Sequence, residues 1–131
     1  MRTNVLFVWL AALLPAMVAA AYSNFTATCT DVALDGFSLS ARCLDESRSD
    51  KKDPVNSSLD LNLCLGIDQE DAHLIWSVYG KFANYCSNCT VQGSPALLSC
   101  VCAPLSGGSS ANTSLNLDAR IGNKNGTLAC W

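Results

Sequence analysis

From Asn24 onward the chain repeats its own pattern. The stretches NFTATCTDVALDGFSLSARC and NSSLDLNLCLGIDQEDAHLIW are answered by KFANYCSNCTVQGSPALLSCVC and NTSLNLDARIGNKNGTLACW. Phe25, Cys29, Gly36 and Cys43 recur at one constant offset as Phe82, Cys86, Gly93 and Cys100. Asn56, Ser58, Leu59, Leu61 and Gly66 recur as Asn112, Ser114, Leu115, Leu117 and Gly122 after a one-residue adjustment, and Leu74 recurs as Leu128. A duplicated unit predicts two similar surfaces, and with them two similar binding sites.

The N-terminus sets the expected compartment. Arg2 precedes an apolar run, then Pro15 and the small residues that end in Ala20 and Ala21. This is the form of a secretory signal peptide over residues 1–21, too short in its apolar core to span a bilayer. The mature chain, residues 22–131, is therefore expected to be secreted and extracellular, with repeat one at 22–77 and repeat two at 78–131.

About 110 residues bury only about two thirds of their unfolded surface, so such a domain needs staples. All eight cysteines fall in the mature part, and an even count in a short secreted chain points to disulfides. With Arg2 removed, the eight Lys and Arg become seven, set against eleven Asp and Glu and scattered without a block of either sign. That balance argues against nucleic acid and anionic membrane as partners.

Period-two alternation indicates half-buried strands. Phe25, Ala27 and Cys29 alternate with Asn24, Thr26, Thr28 and Thr30, and Phe37, Leu39, Ala41 and Cys43 with Ser38, Ser40 and Arg42. A turn around Asp35 and Gly36 joins them, so Cys29 faces Cys43 across a hairpin, a bridge worth roughly 3 kcal/mol on the chain-entropy estimate. In the second copy the turn falls at Gln92 and Gly93, with two cysteines on each arm. Nested pairing favours Cys86 with Cys102 and Cys89 with Cys100, leaving Cys64 and Cys130, although other pairings stay open on sequence alone. SLDLNLCLGI and SLNLDARIGN each read as a short helical turn leading into a strand, and residues 45–53 and 106–110 as exposed loops. The class is all-β: two pseudo-symmetric tandem repeats, each a small antiparallel sheet with a hairpin and short helical turns.

This pattern resembles the cyanovirin-N homology family. An aromatic residue, Thr or Asn, then Cys, with seven residues to Gly and seven more to Cys, is followed by a Leu-x-Leu turn and a closing Asn-Gly-Thr-Leu strand, all duplicated. NLDARIGNKNGTL beside Trp131 matches the family's closing segment, and the likeness runs from about Tyr22 to Trp131. The resemblance implies an elongated lectin whose C-terminal strand crosses to complete the first half, which is consistent with a Cys64–Cys130 bond. It also implies oligomannose-type glycans as partners, bound without a metal or other cofactor in shallow polar pockets, one per half, and a monomer or domain-swapped dimer.

Carried over by position, the first pocket would be lined by Asn24, Ala27 and Thr28, by Leu44, Asp45 and Glu46, and by Asn123, Lys124 and Asn125. Carboxylates and amides there suit vicinal hydroxyls, whereas Ala27 and Leu44 stand where polar residues are expected. The second pocket would use Lys81, Asn84 and Tyr85, Ala103 to Leu105 with Gly107, and Gly66, Ile67 and Asp68. Its loop residues are mostly apolar or small, so it is expected to be weak, altered or absent.

Five sequons, at Asn24, Asn56, Asn88, Asn112 and Asn125, mark expected glycan acceptors of a glycoprotein. Asn24 and Asn125 belong to the expected first pocket, where a glycan would block it. Asn88 is the poorest acceptor, because Cys89 is its middle residue. Catalysis is not indicated: His73 is the single histidine, no nucleophile elbow is present, and Asp45 with Glu46, like Glu70 with Asp71, are adjacent and would diverge in a strand. Cys86, Cys89, Cys100 and Cys102 have the spacing of a zinc knuckle, but an oxidising compartment favours bridges. Phe25, Phe37, Phe82 and Trp76 suit the core and the packing between halves, and Trp131 suits either packing or sugar stacking. Two functions follow: a lectin, or a disulfide-stapled secreted effector or wall-associated protein that acts through protein contacts.

Overall fold

A computed structural model describes residues 22–47 and 53–131; the expected leader at 1–21 and part of the 45–53 loop lie outside the described residues. Ten strands are described: β1 (Cys29–Asp35), β2 (Ser38–Cys43), β3 (Val55–Asp60), β4 (Leu65–Ile67), β5 (Leu74–Trp76), β6 (Cys86–Gln92), β7 (Leu97–Cys102), β8 (Ala111–Asn116), β9 (Gly122–Lys124) and β10 (Thr127–Ala129). Four single-turn 3-10 helices, Phe25–Ala27, Leu61–Leu63, Phe82–Asn84 and Leu117–Ala119, connect them. The all-β class expected from the alternation is what the chain forms. Sheets β1-β2-β3 and β6-β7-β8 are three-stranded, and β4-β5 and β9-β10 are separate hairpins.

Alternation puts one face of each sheet into the core. Leu39, Ala41 and Cys43 on β2 are buried, as are Leu98, Cys100 and Cys102 on β7. Phe25 and Phe82 are fully buried at equivalent places. Phe82 meets Phe37 edge-to-face at 5.3 Å and 88°, joining the second half to the first. Four disulfides close the chain: Cys29–Cys43, Cys64–Cys130, Cys86–Cys102 and Cys89–Cys100.

The halves are built by exchange. The backbone N–H of Leu128 on β10 donates to the Ser57 hydroxyl on β3 (2.9 Å), so the closing hairpin completes the first sheet's layer. Leu74 on β5 donates in the same way to Thr113 on β8 (3.0 Å). The end of the chain crosses to the first half as expected, and the first repeat's hairpin crosses reciprocally to the second, which the sequence had not indicated.

Three local expectations need correction. The opening alternation predicts a strand through Phe25, but Phe25–Ala27 is a 3-10 turn with the strand starting at Cys29. The reason lies far along the chain: the Asp118 carboxylate captures the Thr26 N–H (3.0 Å) and hydroxyl (2.8 Å), which favours a turn over a ladder. The Leu-x-Leu runs do contain helical turns leading into strands, but Ser58 to Asp60 and Ser114 to Asn116 first finish β3 and β8. Asp60 and Asn116 then stop those strands by accepting from the N–H two residues on, as Asx caps do. Finally, the first hairpin turns through Gly36 (φ 61°) and Phe37, whereas the second turns through residues 93–96. Those two extra residues break the constant offset: Cys29 pairs with Cys43 and Cys86 with Cys102, so Ala41 rather than Cys43 is the counterpart of Cys100.

Candidate functional site

Three distant parts of the sequence meet at Asn123. Its side-chain amide donates to the Thr28 hydroxyl (3.0 Å) and to the Leu44 carbonyl (2.9 Å), and its carbonyl oxygen accepts from the Gly126 N–H (2.7 Å). The Leu44 N–H also donates to the Thr28 carbonyl (3.0 Å). Both amide hydrogens of Asn123 are thereby spent within the protein, so it fastens the opening segment, the chain after Cys43 and the closing hairpin into one rim.

The hairpin tip is closely packed. Asn125 (φ 49°) and Gly126 (φ 88°) form the two-residue turn between paired Lys124 and Thr127, with both centres in the left-handed region that such a turn demands. A Cβ on Gly126 would lie 2.5 Å from Val55 Cγ2 and 3.2 Å from Asp45 Cβ, so the tip rests directly on the 45–47 turn. That turn is ordered by Asp45, whose carboxylate accepts from the N–H and hydroxyl of Ser47. Glu46, Lys124 and Asn125 are exposed around it. Thr28, Leu44, Asp45, Asn123 and Asn125 thus converge, although they come from both ends of the mature chain.

Beside this rim lies a recess of about 180 Å³ whose lining includes Ala27, Thr28 and Leu44 together with Thr30, Arg42 and Pro54. Thr30 and Arg42 were not among the expected site residues. The signal was available in the hairpin register: once Cys29 faces Cys43, Thr30 must face Arg42. Hydroxyls and a guanidinium around an Ala and Leu floor can hydrogen-bond a polyhydroxylated ligand while covering its apolar edge. Asn24 lines an adjoining recess of about 580 Å³ with Ser94, Pro95 and Asn116, which shares Thr26 and Ala27 with the first, and its N–H donates to the Asp118 carbonyl (2.8 Å).

The second half retains the frame and changes the chemistry. The Ala103 N–H donates to the Tyr85 carbonyl (2.9 Å), as Leu44 does to Thr28. Where Asn123 ties the first rim, the buried Ile67 side chain carries no donor or acceptor. The Asp68 carboxylate is occupied by the Glu70 N–H (2.8 Å), and Gln69 accepts from the Leu105 N–H (2.9 Å) instead. Lys81 and Asn84 are exposed and Tyr85 is half-buried. Gly66 and Gly80 pass so closely that a Cβ on Gly80 would lie 2.5 Å from the Leu65 carbonyl oxygen.

His73 is exposed, with Nδ1 3.1 Å from the Asp71 carboxylate. The His73 backbone N–H, donating to that same carboxylate at 2.9 Å, holds Asp71 below the ordinary carboxylate range. Cys86, Cys89, Cys100 and Cys102 are bridged, so they offer no thiolates. All five sequon asparagines, Asn24, Asn56, Asn88, Asn112 and Asn125, are exposed. Among the described residues no helix is long and apolar enough to cross a membrane.

The CVNH domain family model matches residues 25–129. No curated protein matches the chain in sequence. Among solved structures, the CVNH protein of Gibberella zeae is 31% identical, with a TM-score of 0.68 over 82% of this chain and 96% of its own. The MoCVNH3 variant Mo0v, solved in complex with (N-GlcNAc)4, is 20% identical, with a TM-score of 0.71 over 84% of this chain and 99% of its own. Microvirin, solved with mannobiose, is 24% identical, with a TM-score of 0.66 over 83% of this chain and 99% of its own.

Proposed function

The chain belongs to the CVNH domain family, and on that premise we propose that it is a secreted, non-catalytic lectin for mannose-type or related glycans. The observation that carries this reading is the Asn123 knot, which builds a fixed polar rim beside the Thr28, Thr30 and Arg42 recess. Support also comes from two neighbours of the same fold that were solved holding sugars, (N-GlcNAc)4 and mannobiose. Glu46, Lys124 and Asn125 supply exposed donors and acceptors around the recess. The second half, lacking an amide at Ile67, is the weaker site or none. Four disulfides are in keeping with an oxidising, extracellular destination.

A glycan array with the folded, unglycosylated protein tests the reading. Binding is expected to be competed by free mannoside and lost on combined Arg42→Ala and Glu46→Ala replacement with the fold retained. Silence on the array from a protein carrying all four bridges would overturn it. One observation favours a second reading, action through protein contacts: Leu63, Val78, Tyr79 and Trp131 form an exposed apolar cluster around a recess of about 270 Å³. Partner capture that free mannoside leaves untouched would select that reading.

A further inference from the structure

The five sequons are not equivalent in space. Asn112 lies on β8, in the second half's sheet, and Asn88 sits on β6 of that sheet, beside the Cys89–Cys100 bridge. Asn24 opens on the recess with Ser94 and Pro95. Asn125 alone occupies the tip of the closing hairpin, two residues from the Asn123 knot and directly before Gly126, which rests on Asp45. Its side chain is exposed, and so is Thr127, whose hydroxyl completes the sequon. Gly126, the next residue, packs against Val55 and Asp45, so the backbone that carries Asn125 is anchored beside the rim.

We infer that Asn125 is an N-glycosylation site and that its glycan lies across the first-half recess and closes it. The inference rests on the lectin reading above and on passage through the secretory route. A branched oligosaccharide fixed to the rim is held at a high effective concentration, whether it enters the recess or only stands over it. The secreted glycoprotein would then bind external glycans weakly until that substituent is trimmed. Asn56, which pairs with Arg42 across β3 and β2, and Asn24, whose recess shares Thr26 and Ala27 with this one, are the competing masks.

The test uses the full chain secreted from a glycosylating host, with site occupancy read by mass spectrometry and binding read on an oligomannose array. Thr127→Ala removes the acceptor while leaving Asn125 and its turn; Ser58→Ala removes the Asn56 acceptor, and Ser114→Ala serves as a remote control. Asn125 is expected to be occupied, and Thr127→Ala to bind at least roughly tenfold more tightly than the parent, with Ser114→Ala unchanged. An unmodified Asn125, equal binding by parent and Thr127→Ala, or relief by Ser58→Ala instead would each overturn the inference. If the folded, unglycosylated protein binds no sugar, the lectin reading fails and the mask with it; if it binds as well as the glycosylated protein, only the mask fails.

Discussion

Asn123 concentrates the site's dependence on a single side chain. Asn123→Ala removes three hydrogen bonds at once and leaves the Leu44 carbonyl and the Gly126 N–H to find water. The expected cost is about 1–3 kcal/mol of stability and at least about tenfold in glycan affinity, read by urea titration and calorimetric binding. Affinity that survives intact would show that the rim does not depend on the knot. Close backbone approach gives a second prediction. Gly80→Ala would place a Cβ 2.5 Å from the Leu65 carbonyl oxygen and 2.6 Å from the Gly66 backbone. It should cost about 1–3 kcal/mol, whereas Gly108→Ala, which meets nothing nearer than 3.5 Å, should be close to neutral in thermal denaturation. Asn123, Lys124 and Asn125 were readable as candidate site residues because the closing motif names them. That Asn123 acts by positioning was not readable, since its three partners lie far away or across a turn.

At the level of elements, each 3-10 turn that opens a half is fastened by a residue of the other repeat. Asp118 accepts from the Thr26 N–H and hydroxyl and also from the Ala96 N–H (2.9 Å), whereas its counterpart Asn62 accepts from the Ala83 N–H (3.0 Å). Asp118 is buried, so Asp118→Ala strands three donors and should cost about 3 kcal/mol in chemical denaturation, against about 1 kcal/mol for Asn62→Ala. Equal losses would mean that the carboxylate adds nothing beyond its symmetric partner. The extra bridge of the second hairpin gives another test at this scale. Cys89 and Cys100 stand where the first repeat has Val32 and Ala41, so Cys89→Val with Cys100→Ala recreates packing the fold already uses. Loss of this bridge, which closes 11 residues inside the 16-residue span already held by Cys86–Cys102, should lower stability by about 1–2 kcal/mol while keeping the amide spectrum native-like. Strand alternation, turns and cysteine arms were legible here because they depend on neighbours in sequence. The 3-10 start at Phe25 was hidden because Asp118 lies 92 residues from Thr26.

For the molecule as a whole, exchanged hairpins mean that neither repeat owns a complete core. Leu128 of the second repeat seals the first sheet and Leu74 of the first seals the second, with Cys64–Cys130 bridging 66 residues of chain. Trp131 adds a tether through its indole N–H to the Leu63 carbonyl (3.1 Å), with Arg120 5.8 Å from its ring centre. The intact chain should therefore unfold in one transition, and residues 22–77 alone should fail to fold as a monomer. A dispersed amide spectrum from monomeric 22–77 would overturn this. By itself the sequence determined the all-β class, the duplication, the family likeness and the residues of the closing motif. Each of these is written in short-range periodicity or in motif identity. Tertiary structure decided the reciprocal hairpin crossing, the use of Asn123 as a knot, and the entry of Thr30 and Arg42 into the recess. It also put Asn125 on the hairpin tip and Asn24 on the adjoining recess. Those outcomes depend on which distant hydrogen-bonding groups and apolar faces satisfy one another once the chain closes, and local pattern carries no record of that.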